Sequence, residues 1–400
     1  MNAVSERINR LAESATLAMT RKSFELKQQG KAVINLSIGE PDFDTPEFIK
    51  NAAKKAIDDN FTHYTAVPGI AELREAICEK LQRDNQVTYT PDQIVVCTGA
   101  KQALANTLLA LVNPGEEVIV PAPYWVSYSE MVKLAEGTAV FINAGIEHDF
   151  KITPEQLREA ITPATKLIMF NSPCNPTGSV YTREEMKALA DVVADFPHVY
   201  LLSDEIYEHI IFEGKHESFG QFENIKDRVI IVNGVSKSFA MTGWRLGFLA
   251  APLTIAKACN KIQGQFTSAT SSISQKAAIV AFKANPTETP ELKEMVVKFR
   301  QRRDLLLSLL NTLPGVKTNI PNGAFYLFPD VTAYYGKKYG DKVIHNGDEL
   351  CLHLLEKTYV ALVPGSAFGD ENCIRLSYAT SEENLIEAIN RIRVALAELK

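Results

Sequence analysis

The chain has 400 residues, 46% apolar and 22% charged, an ordinary composition for a soluble globular protein of about two to three domain lengths. Its net charge of −6 argues against a surface for nucleic acid or anionic membrane, and it has no run of 18 apolar residues that would span a bilayer. The opening stretch MNAVSERINRLAES lacks the apolar segment of a secretory signal, and the six cysteines (Cys78, Cys97, Cys174, Cys259, Cys351, Cys373) form no CxxC pair. We therefore expect a cytoplasmic protein with reduced thiols, without a disulfide framework; seven unclustered histidines and no HExxH also speak against a protein-held metal.

In chain order, QIVVCTG (Gln93–Gly99) reads as a strand leading into KQALANTLLALV, whose apolar residues recur at helical spacing. EEVIVPAP, TAVFINA, TKLIMFNSP, HVYLLSDE and RVIIVNG follow as further strands. Helical stretches separate them, among them TREEMKALADVVADF, opened by a capping box from Thr182 to Glu185. Short apolar runs alternating with amphipathic helices predict an α/β fold with a mainly parallel central sheet flanked by helices. From Leu253 the sequence turns helix-rich, with a long charged helix in ELKEMVVKFRQRRDLLLSLLNTL. GAFYLFPDV and NCIRLSYAT suggest strands of a smaller α+β unit, closed by the helix SEENLIEAINRIRVALAEL. No repeat or Ser/Gly linker interrupts the chain. The expected division is a large domain over 46–289 and a small one built from 1–45 plus 290–400, with the N-terminal segment packed on the latter.

One lysine stands out. In NGVSKSFAMTGWRLG (Asn233–Gly247), Lys237 falls just after the apolar run Val229–Val235, where a buried strand would end. A buried ammonium must find partners, shift its pKa or do chemistry. Ligands of α/β sheets collect at the carboxyl ends of strands. The polar residues just past the expected strands are Gly99-Ala100-Lys101, Tyr124-Trp125, Asn175, Asp204 with Tyr207, and Ser236-Lys237 with Arg245. A lysine that can lose its proton condenses with an aldehyde, and pyridoxal 5'-phosphate (PLP) is the cofactor that uses one. Its phosphate wants backbone N–H groups at a helix N-terminus and a cation, which Gly99-Ala100-Lys101 and Arg245 offer. Its ring nitrogen wants a buried carboxylate, as Asp204 would be. Its phenolic oxygen wants donors such as the Asn175 amide and the Tyr207 hydroxyl, and its flat face an aromatic lid such as Trp125.

These segments resemble the fold-type I PLP enzymes, and within them the class I aminotransferases, over nearly the whole chain from SIGEPDFDTP (Ser37–Pro46) to IRLSYATSEENL (Ile374–Leu385). NSPCNPTG (Asn171–Gly178), SDEIYEH (Ser203–His209), SKSFAMTGWRLG and YTAVPGIAELREA carry the likeness most specifically, in family order. The chain is most similar to bacterial aspartate aminotransferases of the Iβ subgroup, which include aspartate/prephenate aminotransferases. The resemblance implies that Lys237 bonds the cofactor and shuttles the proton, Asp204 pairs with the ring nitrogen, Asn175 and Tyr207 hold the phenolic oxygen, and Trp125 stacks on the ring. It implies that Arg245, Ser236 and the Gly99–Lys101 turn bind phosphate, and that Arg375 and Asn175, with the backbone of Gly39, grip the substrate carboxylate. It also implies a homodimer in which Tyr64 reaches the phosphate of the neighbouring subunit. One departure is Gly234, where many relatives have a serine three residues before the lysine.

The second departure concerns the substrate. QGQFTSATSSISQ (Gln263–Gln275), comparable to the stretch that supplies a side-chain arginine in the Iα subgroup, has no arginine or lysine. The Iβ relatives draw instead on the N-terminal segment, here SATLAMTRK, which offers Ser14, Thr16, Arg21 and Lys22. The expectation is transamination between L-aspartate and 2-oxoglutarate. The alternatives are prephenate, aromatic, alanine or kynurenine substrates, or a PLP-dependent lyase on the same fold. A transcriptional regulator with an aminotransferase-like domain lacks support, because the residues before SIGEPDF are few for an added DNA-binding domain.

Overall fold

The computed structural model describes residues 4–400. Apart from a short β1 (Ile34–Asn35), the first strands in the chain are β2 (Ile94–Cys97), β3 (Glu117–Ala122), β4 (Thr138–Asn143), β5 (Thr165–Asn171), β6 (Tyr200–Asp204), β7 (Val229–Gly234) and β8 (Gly247–Ala250). They form one seven-stranded sheet in the order β2-β8-β7-β6-β5-β3-β4. Every neighbouring pair is parallel except those of β8, which runs against both β2 and β7. The mainly parallel α/β sheet expected from the sequence is thus present. Strand β8 was not anticipated: GFLA is only four residues long and follows directly on a glycine-containing loop, so it carries no readable period.

The continuous apolar strands belong in a sheet covered on both faces, and the pleat sends alternate side chains to opposite sides. Ile94, Val96, Ile119, Ile168, Phe170, Ile231 and Phe248 join one core, with the helices Ala71–Asn85, Arg183–Ala194 and Ser272–Lys283. Val95, Cys97, Val118, Val120, Leu167, Met169, Ile230 and Leu249 join the other, with the helices Ala100–Leu111 and Leu253–Phe266. The capping box forms as expected: Glu185 N–H donates to Thr182 Oγ1 at 3.3 Å, and Thr182 N–H donates to Glu185 Oε2 at 2.7 Å.

A separate core gathers Leu36, Phe299, Leu306, Phe325, Leu354, Leu376 and Ile389. Around it stand the helices Pro290–Leu310, Gly347–Thr358 and Glu382–Ala397 and several short strands. These are β9 (Tyr326–Leu327), the hairpin β10 (Lys338–Tyr339) and β11 (Lys342–Val343), β12 (Val360–Ala361), β13 (Val363–Pro364) and β14 (Ile374–Ser377). Strands β13, β14 and β9 pair antiparallel, while β12 pairs in parallel with β1 and ties the N-terminal chain to this core. The helix Ala15–Gln28 also lies against β12 and β13. Within GAFYLFPDV only Tyr326–Leu327 is regular strand.

At the ends of β7 and β8, Gly234 is in register with Gly247. A Cβ on Gly234 would sit 2.8 Å from Gly247 Cα and 2.9 Å from the Leu246 carbonyl oxygen, and a Cβ on Gly247 would strike the backbone of Ala100. The departure from serine at 234 therefore has a packing reason: the strand ends are drawn together under the first turn of the Ala100–Leu111 helix. Gly234→Ser is expected to cost about 1–3 kcal/mol by overpacking. Thermal unfolding measures this, and an unchanged Tm would show that the strands separate freely.

Candidate active site

The carboxyl ends of β2, β3, β5, β6 and β7 open into a cleft of about 280 Å³ whose far wall carries Tyr326 and Arg375 of the second core. Lys237 enters it from a turn in which Phe239 N–H donates to the Val235 carbonyl at 3.2 Å. Its Nζ donates to the Gly39 carbonyl at 2.6 Å and lies 5.9 Å from the centre of the Tyr207 ring. Burial pushes the ammonium down to about 8; Glu40 and Asp204 oppose the shift, and Arg375 and Arg245 reinforce it. A large fraction of this amine is thus unprotonated near pH 8, as nucleophilic chemistry requires.

Asp204 closes the floor at the end of β6. It is buried, its Oδ2 accepts from the Tyr128 hydroxyl at 2.7 Å, and its Oδ1 accepts from Ile206 N–H at 3.3 Å. Burial raises the carboxyl to about 6; the Tyr128 and Ile206 hydrogen bonds and Lys237 restrain the rise, and Glu205 adds to it. Asn171 Nδ2 donates to the Asp204 carbonyl and its Oδ1 accepts from Asn175 N–H, each at 2.9 Å, so the two strand ends hold each other in place. Tyr128 was missed in the sequence because it follows no strand end. Its only signal is its place three residues after Trp125, in the turn that starts the Ser127–Leu134 helix.

The opposite end is built for an anion. The Ala100–Leu111 helix begins at Gly99 (φ +81°), where a Cβ would strike the Arg245 guanidinium. Glycine here lets the exposed Arg245 lie against a helix N-terminus whose first N–H groups have no acceptor within the helix. Arg245 itself sits at φ +53°, held by its Nη1 bond to the Thr242 carbonyl at 2.8 Å. The buried Ser236 and the half-buried Trp125 line the same cleft. Lys101 Nζ stands 4.8 Å from the Trp125 ring centre, its proton affinity lowered by burial and by Arg245.

Arg375, 1% exposed, is the largest polar side chain in the wall. Its guanidinium is sandwiched 4.7 Å from Tyr326 and 4.8 Å from Phe368, ring centre to Cζ. Nη1 donates to Asn175 Oδ1 at 2.9 Å and Nη2 to the Ser37 carbonyl at 2.6 Å, while Nε has no protein partner. A guanidinium that lines a cleft can take a carboxylate by paired hydrogen bonds. The Tyr207 hydroxyl meets that of Tyr326 at 2.8 Å. Tyr326 also escaped the sequence reading: inside the apolar run GAFYLFPDV it looks like core.

The N-terminal segment forms the rim through Ser14, Thr16 and Leu17. Arg21 and Lys22, offered with them by the sequence, do not line the cleft. On a helix turning 100° per residue they lie roughly 140° and 120° around from Thr16, and Arg21 pairs instead with Glu13 at the surface, 2.9 Å away. Tyr64 is 99% exposed and outside this chain's own cleft.

Residues 31–392 match the family model described as aminotransferase class I and II. The chain is 49% identical to an aspartate/prephenate aminotransferase of Cereibacter sphaeroides, over 99% of each chain. It is 48% identical to a bifunctional aspartate aminotransferase and glutamate/aspartate-prephenate aminotransferase of Petunia hybrida, over 99% of this chain and 83% of that one. Among solved structures, an aspartate aminotransferase of Rhizobium meliloti superposes with a TM-score of 0.96 at 43% identity over 100% of each chain. That of Thermus thermophilus with maleate gives 0.93 at 42%, covering 99% of this chain and 100% of that one.

The raised Asp204 carboxyl has a measurable consequence for protein purified free of small molecules. A group whose folded pKa lies above its unfolded value contributes stability below the unfolded value and loses it as pH rises through the folded one. The wild-type protein should lose about 2 kcal/mol from this group between pH 4 and 7, from a rise of roughly two units. Asp204→Asn removes the titration, so the stability difference between variant and wild type should move in the variant's favour over that range. Parallel urea-unfolding curves at pH 4 and pH 7 would contradict the buried, raised carboxyl.

Proposed function

The chain belongs to the class I and II aminotransferases, and from that membership we propose that it transfers the amino group of L-aspartate to 2-oxoglutarate, with PLP as cofactor. The reading rests above all on one observation: a desolvated lysine, a buried carboxylate, an anion cradle and a sandwiched arginine all face the same cleft. When bound, PLP supplies an aldehyde for the amine and a ring that draws electrons from the substrate's α-carbon. Lys237 Nζ would bond the cofactor and, once displaced by the amino acid, take the α-proton and return it on the product side. Its lowered proton affinity raises its neutral fraction for that step. Asp204, held by Tyr128, would keep the ring nitrogen protonated, and a cation seated there would draw the carboxyl back down. The Ala100 and Lys101 N–H groups, Ser236 and Arg245 would hold the phosphate, Asn175 and Tyr207 the phenolic oxygen, and Trp125 the ring face. Arg375, with Asn175 and the backbone of Gly39, would take the α-carboxylate, displacing or sharing its present acceptors.

A second carboxylate on the substrate needs another positive group. The Lys101 ammonium faces the same cleft as Ser14 and Thr16, and in our reading these three receive it. Such a site suits aspartate, glutamate and their 2-oxo acids, and prephenate as a second acceptor, in keeping with the names of the relatives at 45–49% identity. In this reading residues 46–289 carry the cofactor, while 1–45 with 290–400 supply Arg375 and the rim. Two copies would associate in the cytoplasm, with exposed Tyr64 of each reaching the other's phosphate.

The test is kcat/KM for aspartate, phenylalanine, alanine and kynurenine with 2-oxoglutarate, and for prephenate as acceptor, with products identified. Aspartate should lead and appear as oxaloacetate with glutamate. Lys101→Met should cut aspartate use on the order of tenfold or more while changing phenylalanine use less than about threefold. Elimination products in place of an amino-group exchange, or alanine exceeding aspartate tenfold, would overturn the assignment.

A further inference from the structure

The cleft accounts for the polar residues on its own side of β6 and β7, but not for the ions buried behind them. Lys80 and Glu208 are only 1% and 6% exposed, and their charged atoms meet at 2.5 Å. Asn85 completes the contact: its Oδ1 accepts from Lys80 Nζ at 2.7 Å and its Nδ2 donates to Glu208 Oε2 at 2.9 Å. His209 continues the line, with Nε2 at 3.3 Å from Asp84 Oδ2 and 3.6 Å from Glu208 Oε1. Its other nitrogen, Nδ1, lies 3.0 Å from the hydroxyl of Ser238, the buried residue next to Lys237 in the chain. Glu208 in turn follows Tyr207. The cluster therefore bolts the helix Ala71–Asn85 to both turns that present reacting groups.

Glu205, Glu208 and His216 bring their ligand atoms within 4.8 Å of one another, a spacing that would admit a metal ion. Protein groups already engage those atoms. Glu205 Oε1 accepts from Ser203 and Ser218 at 2.9 and 2.7 Å, its Oε2 faces His216 Nε2 at 3.1 Å, and the Lys80 ammonium sits on Glu208. The positive charge of this cluster is built into the chain.

A buried ion pair contributes little net stability compared with apolar residues of the same volume, yet breaking it from one side is costly. A fully hydrogen-bonded buried network does impose a single geometry on the elements it joins. We propose that Lys80, Glu208 and His209 form a positioning relay that, through Ser238, fixes the turn presenting Lys237. None of them touches the cleft; they act through their neighbours. The inference rests on the aminotransferase reading, in which Lys237 must lie within reach of the substrate α-carbon, and misplacement by about 1 Å can cost on the order of 100-fold.

A double-mutant cycle tests it. Lys80→Met removes the ammonium, and Ser238→Ala removes only the hydroxyl at the other end of the relay. Each should lower kcat by roughly 10- to 100-fold with KM for the amino donor changed less than about threefold, and Ser238→Ala should leave Tm nearly unchanged. The double variant should be scarcely worse than the poorer single one, because residues acting as a unit are not additive. In protein freed of cofactor, reductive methylation of Lys237 should change rate in both single variants, as followed by peptide mass spectrometry. If Lys80→Met does not fold, Glu208→Gln replaces it in the cycle, since Asp84 remains 3.8 Å from the Lys80 ammonium to balance it. Multiplying losses, or an unchanged kcat in either single variant, would overturn the relay. Absence of transamination in the wild-type enzyme would overturn the functional reading instead.

Discussion

Everything in the cleft depends on keeping one ammonium poorly solvated. Lys237 Nζ has the Gly39 carbonyl as its hydrogen-bond partner, while Arg375 and Arg245 push its proton off from two sides. Two carboxylates, Glu40 and Asp204, pull the other way. Burial is the largest of these influences, so the amine's reactivity depends on the walls that exclude water. One wall is the end of the seven-stranded sheet; the other is the second core, which places Tyr326 and Arg375 opposite. Had either wall been missing, the lysine would be an ordinary solvated cation.

Both ends of the chain contribute to that enclosure. Strand β1 joins β12 in the second core, and the segment leaving it brings Gly39 to Lys237 and the Ser37 carbonyl to Arg375. Arg375 sits on β14, in register with Val363, far along the chain from Asn175, the residue it bonds across the cleft. The same guanidinium therefore ties the two cores together while lining the cleft. The close glycine contacts at 99, 234 and 247 do a similar job at the anion end, where Arg245 and the helix N-terminus could not approach each other around side chains.

The sheet and much of the cleft's lining were legible in the sequence for a shared reason. Buried parallel strands are continuous apolar runs, and the polar residue just beyond each run is forced to the carboxyl edge, so Asp204, Lys237 and Gly99 can be read from local pattern alone. Strand β8 was too short to show a period, and Tyr326 hid within an apolar strand. Tyr128 is defined only by the partner it meets across the sheet edge. Arg21 and Lys22 fail for a different reason: a list of cations in a segment says nothing of helix phase, and only the rim face carrying Ser14 and Thr16 points inward. The buried cluster around Lys80 had no sequence signal, because a lysine in a helix of mixed charge reads as surface.

The most direct measurement is the pH dependence of Lys237 modification in cofactor-free protein, followed peptide by peptide with a small aldehyde and a mild reductant. If the walls hold this amine in the state described, its modification will rise to half-maximum near pH 8, well below the range near 10 of a free lysine side chain. A Lys237 that titrates in the free-lysine range would mean that the cleft does not desolvate it, and that its reactivity does not come from the walls.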